Sequence, residues 1–186
     1  MNIAITFSGM SRSFLTTYSG YKENIVDPLL RQGHRVDTFF HVWDNKYKYV
    51  KYMKDEGSIK ELVNTYKPKY YLAEKYTLDT IQDLREDSNI FNYLSYIESK
   101  NYKRRDRDHG DFIGGGPQRD NRISSLYSIY QSGEVIKNYE KKESIIYDCI
   151  IKSRFDNKIF SPINLNIFND IKNTVYSSMG YEGDDK

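Results

Sequence analysis

Apolar positions along the chain switch between two periods, and the order of the switches predicts the architecture. Asn2 to Phe7 read as a strand, which stops abruptly at Ser8-Gly9-Met10-Ser11-Arg12-Ser13. Apart from Met10, that run is small, flexible or cationic. Tyr21, Ile25 and Leu29 then recur at helical spacing, disturbed late by Pro28 and stopped at Gly33. Val36 to Trp43 (VDTFFHVW) is rich in aromatic and β-branched residues and predicts a buried strand ending at Asp44. Ser58 and Glu61 form a capping-box pattern ahead of Leu62 and Val63, with Pro68 beyond the helix. Tyr70 to Ala73 is expected to be a third strand, and Thr80 to Leu84 a short helix.

The pattern weakens over residues 87–121, where KRRDRDHGDFIGGGPQRDNR has no apolar period and predicts a long mobile loop. Order returns with a helix from about Arg122 to Tyr139. Leu126, Ile129, Gly133 and Ile136 are expected to line its buried face, widened by Ile123, Tyr127 and Tyr130. Ile145 to Ile151 (IIYDCII) predicts the next strand. It runs into Lys152-Ser153-Arg154-Phe155-Asp156, then a short extended piece and a turn at Pro162. Thr174 to Ser178 predicts a last strand before YEGDDK.

Strands alternating with helices imply an α/β sandwich: a mostly parallel central sheet with helices on both faces. Ligands of such sheets bind outside the carboxyl ends of the strands. Three polar clusters fall at those ends: Ser8–Ser13, Asp44, and Arg154–Asp156. That coincidence is the argument from the residues alone for a ligand site.

Composition narrows the function classes. A chain of 186 residues is expected to form one domain. Its 28 basic and 26 acidic residues are interspersed and leave a net charge of +2, which argues against a nucleic-acid binder. The single cysteine, Cys149, excludes an internal disulfide and a cysteine-based zinc site. No apolar run is long enough to span a bilayer, and the first residues do not read as a signal peptide, so a cytoplasmic location is expected.

Each cluster has a chemistry and a plainer reading. In Ser8–Ser13, Gly9 permits a sharp turn, the following amides can face an anion, and Arg12 offers a charged fork. The turn is neither a Walker loop nor GxGxxG, and it is also compatible with an ordinary strand–helix corner. Asp44 suits hydrogen bonds from a ribose or base, or a turn. His41, inside a strand, reads as a satisfied core histidine, or as one that supports a site residue from behind, rather than a metal ligand. Arg154-Phe155-Asp156 is the sharpest signal. Asp156 just past a buried strand suits a hard divalent cation bridging phosphates, and Arg154 suits either the diphosphate or Asp156 itself. Arg122 and Gln131 lie on the more polar side of the long helix. Asp184 and Asp185 follow Gly183 as a pair able to supply a base, or as solvated terminal residues.

Taken in order, SGMSRSF, FFHVWD, SSLYSIYQSGEVIKNYE, YDCIIKSRFD and YEGDD resemble the GT-A-type glycosyltransferase-like proteins of bacterial polysaccharide clusters and large DNA viruses. The resemblance covers most of the chain outside residues 87–121. It implies a Rossmann-like GT-A sandwich that binds a UDP- or GDP-linked sugar and transfers it to a glycan or other hydroxyl acceptor. Ser8, Gly9, Met10, Ser11, Arg12, Asp44, Arg122, Gln131 and Arg154 would hold the donor. Asp156 would hold manganese or magnesium at the family's Asp-x-Asp position, and Asp185 or Asp184 would act as base. Arg154 stands here in place of the first carboxylate. Such enzymes carry more chain after the acidic segment, so a donor-binding domain lacking an acceptor region is also expected. A viral member would act in the host cytoplasm. The alternatives are a non-catalytic nucleotide-sugar-binding module and a sulfotransferase-like enzyme.

Overall fold

The computed structural model describes residues 1–44, 57–75 and 117–165, with side chains of the last stretch described from Ser124 onward. Among the described residues four strands form one all-parallel sheet: β1 (Asn2–Gly9), β2 (Arg35–Trp43), β3 (Tyr70–Glu74) and β4 (Cys149–Ser153). Their order across the sheet is β3-β2-β1-β4. The chain therefore moves outward from β1 through β2 to β3, then crosses back to the other side of β1. That reversal, between β1 and β4, is where an open α/β sheet leaves a crevice at its carboxyl edge.

The first helical segment is α1 (Phe14–Tyr21), a π-helical turn (Lys22–Val26) and α2 (Asp27–Arg31). Tyr21, Ile25 and Leu29 are all buried, as their spacing predicts. The interruption has a definite cause. Pro28 has no N–H to give to the carbonyl one turn earlier, and its ring crowds that position. The Asn24 carbonyl is instead met by the Ile163 N–H at 2.8 Å, while Asn24 Nδ2 donates to the Ile159 carbonyl at 2.8 Å. The proline thus frees a carbonyl that ties the chain beyond β4 onto this layer. Gly33 ends the segment at φ +78°, a conformation that favours glycine.

Helix α3 (Ile59–Tyr66) begins with the expected capping box. Ser58 N–H donates to Glu61 Oε2 at 2.6 Å, and Glu61 N–H donates to Ser58 Oγ at 3.2 Å. Helix α1, helix α2 and helix α3 cover one face of the sheet. Ile3, Ile5, Phe7, Phe40 and Val42 pack there against Phe14, Tyr21, Leu29, Leu62, Tyr66 and Phe155. Phe7 sits at the centre, 5.0 Å from the ring centroids of Tyr21, Tyr66 and Phe155.

Helix α4 (Pro117–Glu143) covers the other face, through Val135 and Ile136 on Ala4, Phe39 and Tyr147. Three expectations are corrected here. The helix starts at Pro117, inside the segment expected to be loop, because proline is tolerated in a first turn and polar residues carry no period to reveal it. Its buried side is Ser128, Ser132, Val135 and Ile136, whereas Ile129, Tyr130 and Gly133 are exposed. Small serines occupy the positions closest to the sheet, so the helix is rotated away from its most apolar residues. Lastly, β4 begins at Cys149, not Ile145. Asn2 holds the preceding residues outside the ladder, its N–H donating to Asp148 Oδ2 at 2.8 Å and its Nδ2 to the Ile146 carbonyl at 3.1 Å.

The expected helix at Thr80 to Leu84, the strand at Thr174 to Ser178 and most of the 87–121 loop lie outside the described residues. No helix among the described residues is long and apolar enough to cross a membrane.

Candidate functional site

Strand β1 ends where Gly9, at φ +107°, turns the chain into Met10, Ser11 and Arg12. Any side chain with a Cβ would be strained at that φ, so the sharp corner requires glycine. Strand β4 ends beside it. Lys152 pairs in register with Thr6 and Ser153 with Phe7, which carries Arg154, Phe155 and Asp156 just past the carboxyl edge. Phe155 anchors this second corner, since it is 1% exposed and stacks on Phe7 at 5.0 Å and 15°.

Between the two corners lies an open cleft of about 390 Å³. Its walls are Ser8, Gly9, Met10 and Arg12 after β1, Trp43 at the end of β2, Lys152, Arg154 and Asp156 from β4, and Ser124 and Ser125 from α4. Three cationic side chains thus share the cleft with one carboxylate. Arg154 grips that carboxylate in a fork, Nε to Asp156 Oδ1 and Nη2 to Oδ2, both at 2.8 Å. The Arg154 bonds hold the Asp156 carboxyl below the usual carboxylate range, with a smaller contribution from Arg12. Partial burial, and then the Arg154 charge, push the Lys152 ammonium below its usual range. Nε of Arg12 is buried and has no hydrogen-bond partner among the described residues. An orphaned buried donor is costly unless something meets it.

Beneath the cleft, on the α4 face, His41 is fully buried. Its Nδ1 lies 2.7 Å from Ser128 Oγ and its Nε2 2.7 Å from Glu74 Oε2. The Tyr127 hydroxyl donates to Glu74 Oε1 at 3.3 Å, and Tyr127 stacks on Trp43 at 5.6 Å. Burial lowers the His41 pKa, and Glu74 pulls it the other way. The expected role of His41, a satisfied core histidine, matches this arrangement. Ser128 is itself fully buried, so the Glu74–His41–Ser128 row joins β3, β2 and α4 and presents no nucleophile to solvent.

Of the expected site residues, Ser8, Gly9, Met10, Arg12, Arg154 and Asp156 meet in the cleft. Ser11 is buried and does not line it. Asp44 is exposed, and its N–H donates to the Glu74 carbonyl at 2.7 Å, continuing the β2–β3 ladder away from the cleft. Gln131, one turn after Tyr127 on α4, does not line the cleft. The Arg122 side chain, Asp184 and Asp185 lie outside the described residues. Sequence reasoning missed Trp43, Lys152, Ser124 and Ser125. Lys152 carried a signal, being a cation that closes the apolar run of residues 149–151 at the carboxyl end of a strand, where a ligand of such a sheet binds.

Manganese or magnesium, implied at Asp156, does not fit the donor set. Both carboxylate oxygens are engaged by Arg154, the other charged groups lining the cleft are cations, and no cluster of three metal-ligating side chains occurs among the described residues. Comparison with protein-family models, with curated proteins and with solved structures found no match.

Proposed function

We propose that the chain binds a nucleotide-diphosphate sugar in this cleft and transfers the sugar to a hydroxyl of a glycan acceptor, as a glycosyltransferase of GT-A type. The observation that carries the reading is the excess of cations at the strand-order reversal: Arg12, Lys152 and Arg154 share the cleft with the single carboxylate of Asp156. A diphosphate supplies acceptors for the donors of this set that Asp156 does not engage. As the bond to the anomeric carbon breaks, charge grows on the departing diphosphate, and fixed cations stabilise that charge more than they stabilise the ground state. The serine hydroxyls of Ser8 and Ser124 offer neutral hydrogen bonds alongside. Asp185 or Asp184 serves as the base in this reading, on the resemblance alone.

One observation favours a binding module instead: the cleft's carboxylate is tied to Arg154 and is not available as a base. Calorimetric titration with UDP and GDP tests both readings. Micromolar binding of one nucleotide, followed by sugar transfer from its sugar conjugates to a glycan, is the expected result. Binding without transfer or hydrolysis leaves the module. Binding of a sulfate-bearing nucleotide with neither UDP nor GDP bound selects the sulfotransferase-like enzyme. No binding of any of them overturns the proposal.

A further inference from the structure

We infer that the cleft neutralises a diphosphate with Arg12, Lys152 and Arg154 themselves, and that Asp156 is a positioning residue that aims Arg154 rather than a metal ligand. The inference rests on reading the cleft as a diphosphate site and adds how that site works.

The geometry of the Arg154–Asp156 fork carries the argument. Bidentate pairing uses one N–H of Nε and one of Nη2, at 2.8 Å each. A guanidinium has five N–H donors, so the Nη1 pair and the second Nη2 proton remain for a ligand. The fork also fixes the plane of the group, which lowers the entropy lost when an anion docks on its other edge. For a divalent cation the same arrangement is unfavourable twice over. The ion must displace Arg154 from both oxygens, and it then sits among three like charges in a partly desolvated cleft.

The other two cations are placed to complete an anion cradle. Lys152 stands on β4 opposite Thr6, makes no ion pair among the described residues, and faces the cleft. Arg12 reaches in from the opposite corner, and its charge is felt at Asp156. Its buried Nε lacks an acceptor among the described residues. A phosphate in the cleft gains a charged partner in the Arg12 guanidinium, which lines it.

The test is calorimetry with pyrophosphate, UDP and GDP, in EDTA and in manganese, on the wild type, Lys152→Ala, Lys152→Arg and Asp156→Asn. Expected results are as follows: pyrophosphate and one nucleotide bind in EDTA, and Lys152→Ala weakens both by about ten- to a hundredfold, the scale of one charge-assisted hydrogen bond. Lys152→Arg recovers most of that loss. Asp156→Asn weakens binding only a few-fold, by the same factor with and without manganese. Nucleotide binding that requires manganese and is abolished in Asp156→Asn overturns the inference and leaves sugar transfer standing. Pyrophosphate binding in EDTA with neither nucleotide bound supports the cradle and overturns the sugar-nucleotide reading. If no anion binds, both fall.

Discussion

Alternate residues of the same strands face two different interiors. Toward α1 and α3, β1 and β2 present Ile3, Ile5, Phe7, Phe40 and Val42, and the layer they meet is hydrocarbon and aromatic rings. Toward α4 they present Ala4, Thr6, Ser8, Phe39, His41 and Trp43, and four of those six carry hydrogen-bonding groups. The first face holds its helices by area removed from water, which is strong but indifferent to a small rotation. The second fixes α4 at points: His41 meets Ser128 at 2.7 Å and Glu74 at 2.7 Å. The cleft opens on the pointwise side, where α4 contributes Ser124 and Ser125. A helix that lines a ligand site benefits from a fixed rotation more than from added hydrophobic area.

That contrast can be broken at its strongest point first. Phe7→Ala removes a ring in contact with three others and leaves a cavity no neighbour can fill. We expect a loss of about 3–5 kcal/mol in urea denaturation. A loss below about 1 kcal/mol means that the aromatic layer is not the main source of stability. His41→Phe keeps the ring volume but strips Ser128 and Glu74 of a partner, at an expected cost of about 1–3 kcal/mol.

The same variant has a pH signature. Burial holds His41 neutral in the fold, so below about pH 6.5 the unfolded chain takes up a proton that the folded chain does not. Wild-type stability should therefore be complete above that pH and decline as the pH falls below it, and His41→Phe should flatten the decline just below about pH 6.5. An unchanged slope would sink the neutral, pinned histidine.

The smallest expected effect sharpens the comparison from the other side. Thr17, on the buried side of α1, donates to the Phe155 carbonyl and so brings a point contact into the hydrocarbon face. Thr17→Val should lower stability by about 1 kcal/mol and, by loosening the second corner, weaken pyrophosphate binding as well. Stability lost with affinity unchanged would separate Thr17 from the site.

Legibility in the sequence follows the same division. Elements stabilised by hydrophobic period or by local capping were readable: Tyr21, Ile25 and Leu29, the VDTFFHVW strand, and the Ser58–Glu61 box. Elements placed by long-range polar contacts were not. Apolar spacing predicts Ile129 inside α4, but Ser128 is inside because a histidine 87 positions away requires it. The IIYDCII run suits a strand in more than one register, and Asn2, 146 positions from Asp148, excludes its first residues. The two corners of the cleft were readable because Gly9 and Phe155 lie in short motifs. Trp43 and Ser124 belong to the cleft only through the packing of α4.

The tie between Asn24 and residues 159 and 163 has a further consequence, in the order of assembly. One wall of the cleft comes from the start of the chain and the other from the far end of its sheet; Thr17 and the Phe155 carbonyl that it holds are 138 positions apart. Closing so long a loop is an entropic cost that local structure cannot offset, and contacts of such separation form late. Whatever occupies the cleft bridges both walls and acts as a removable staple. The thermal midpoint should rise with ligand concentration, and limited proteolysis without ligand should cut the 155–163 segment before the N-terminal layer.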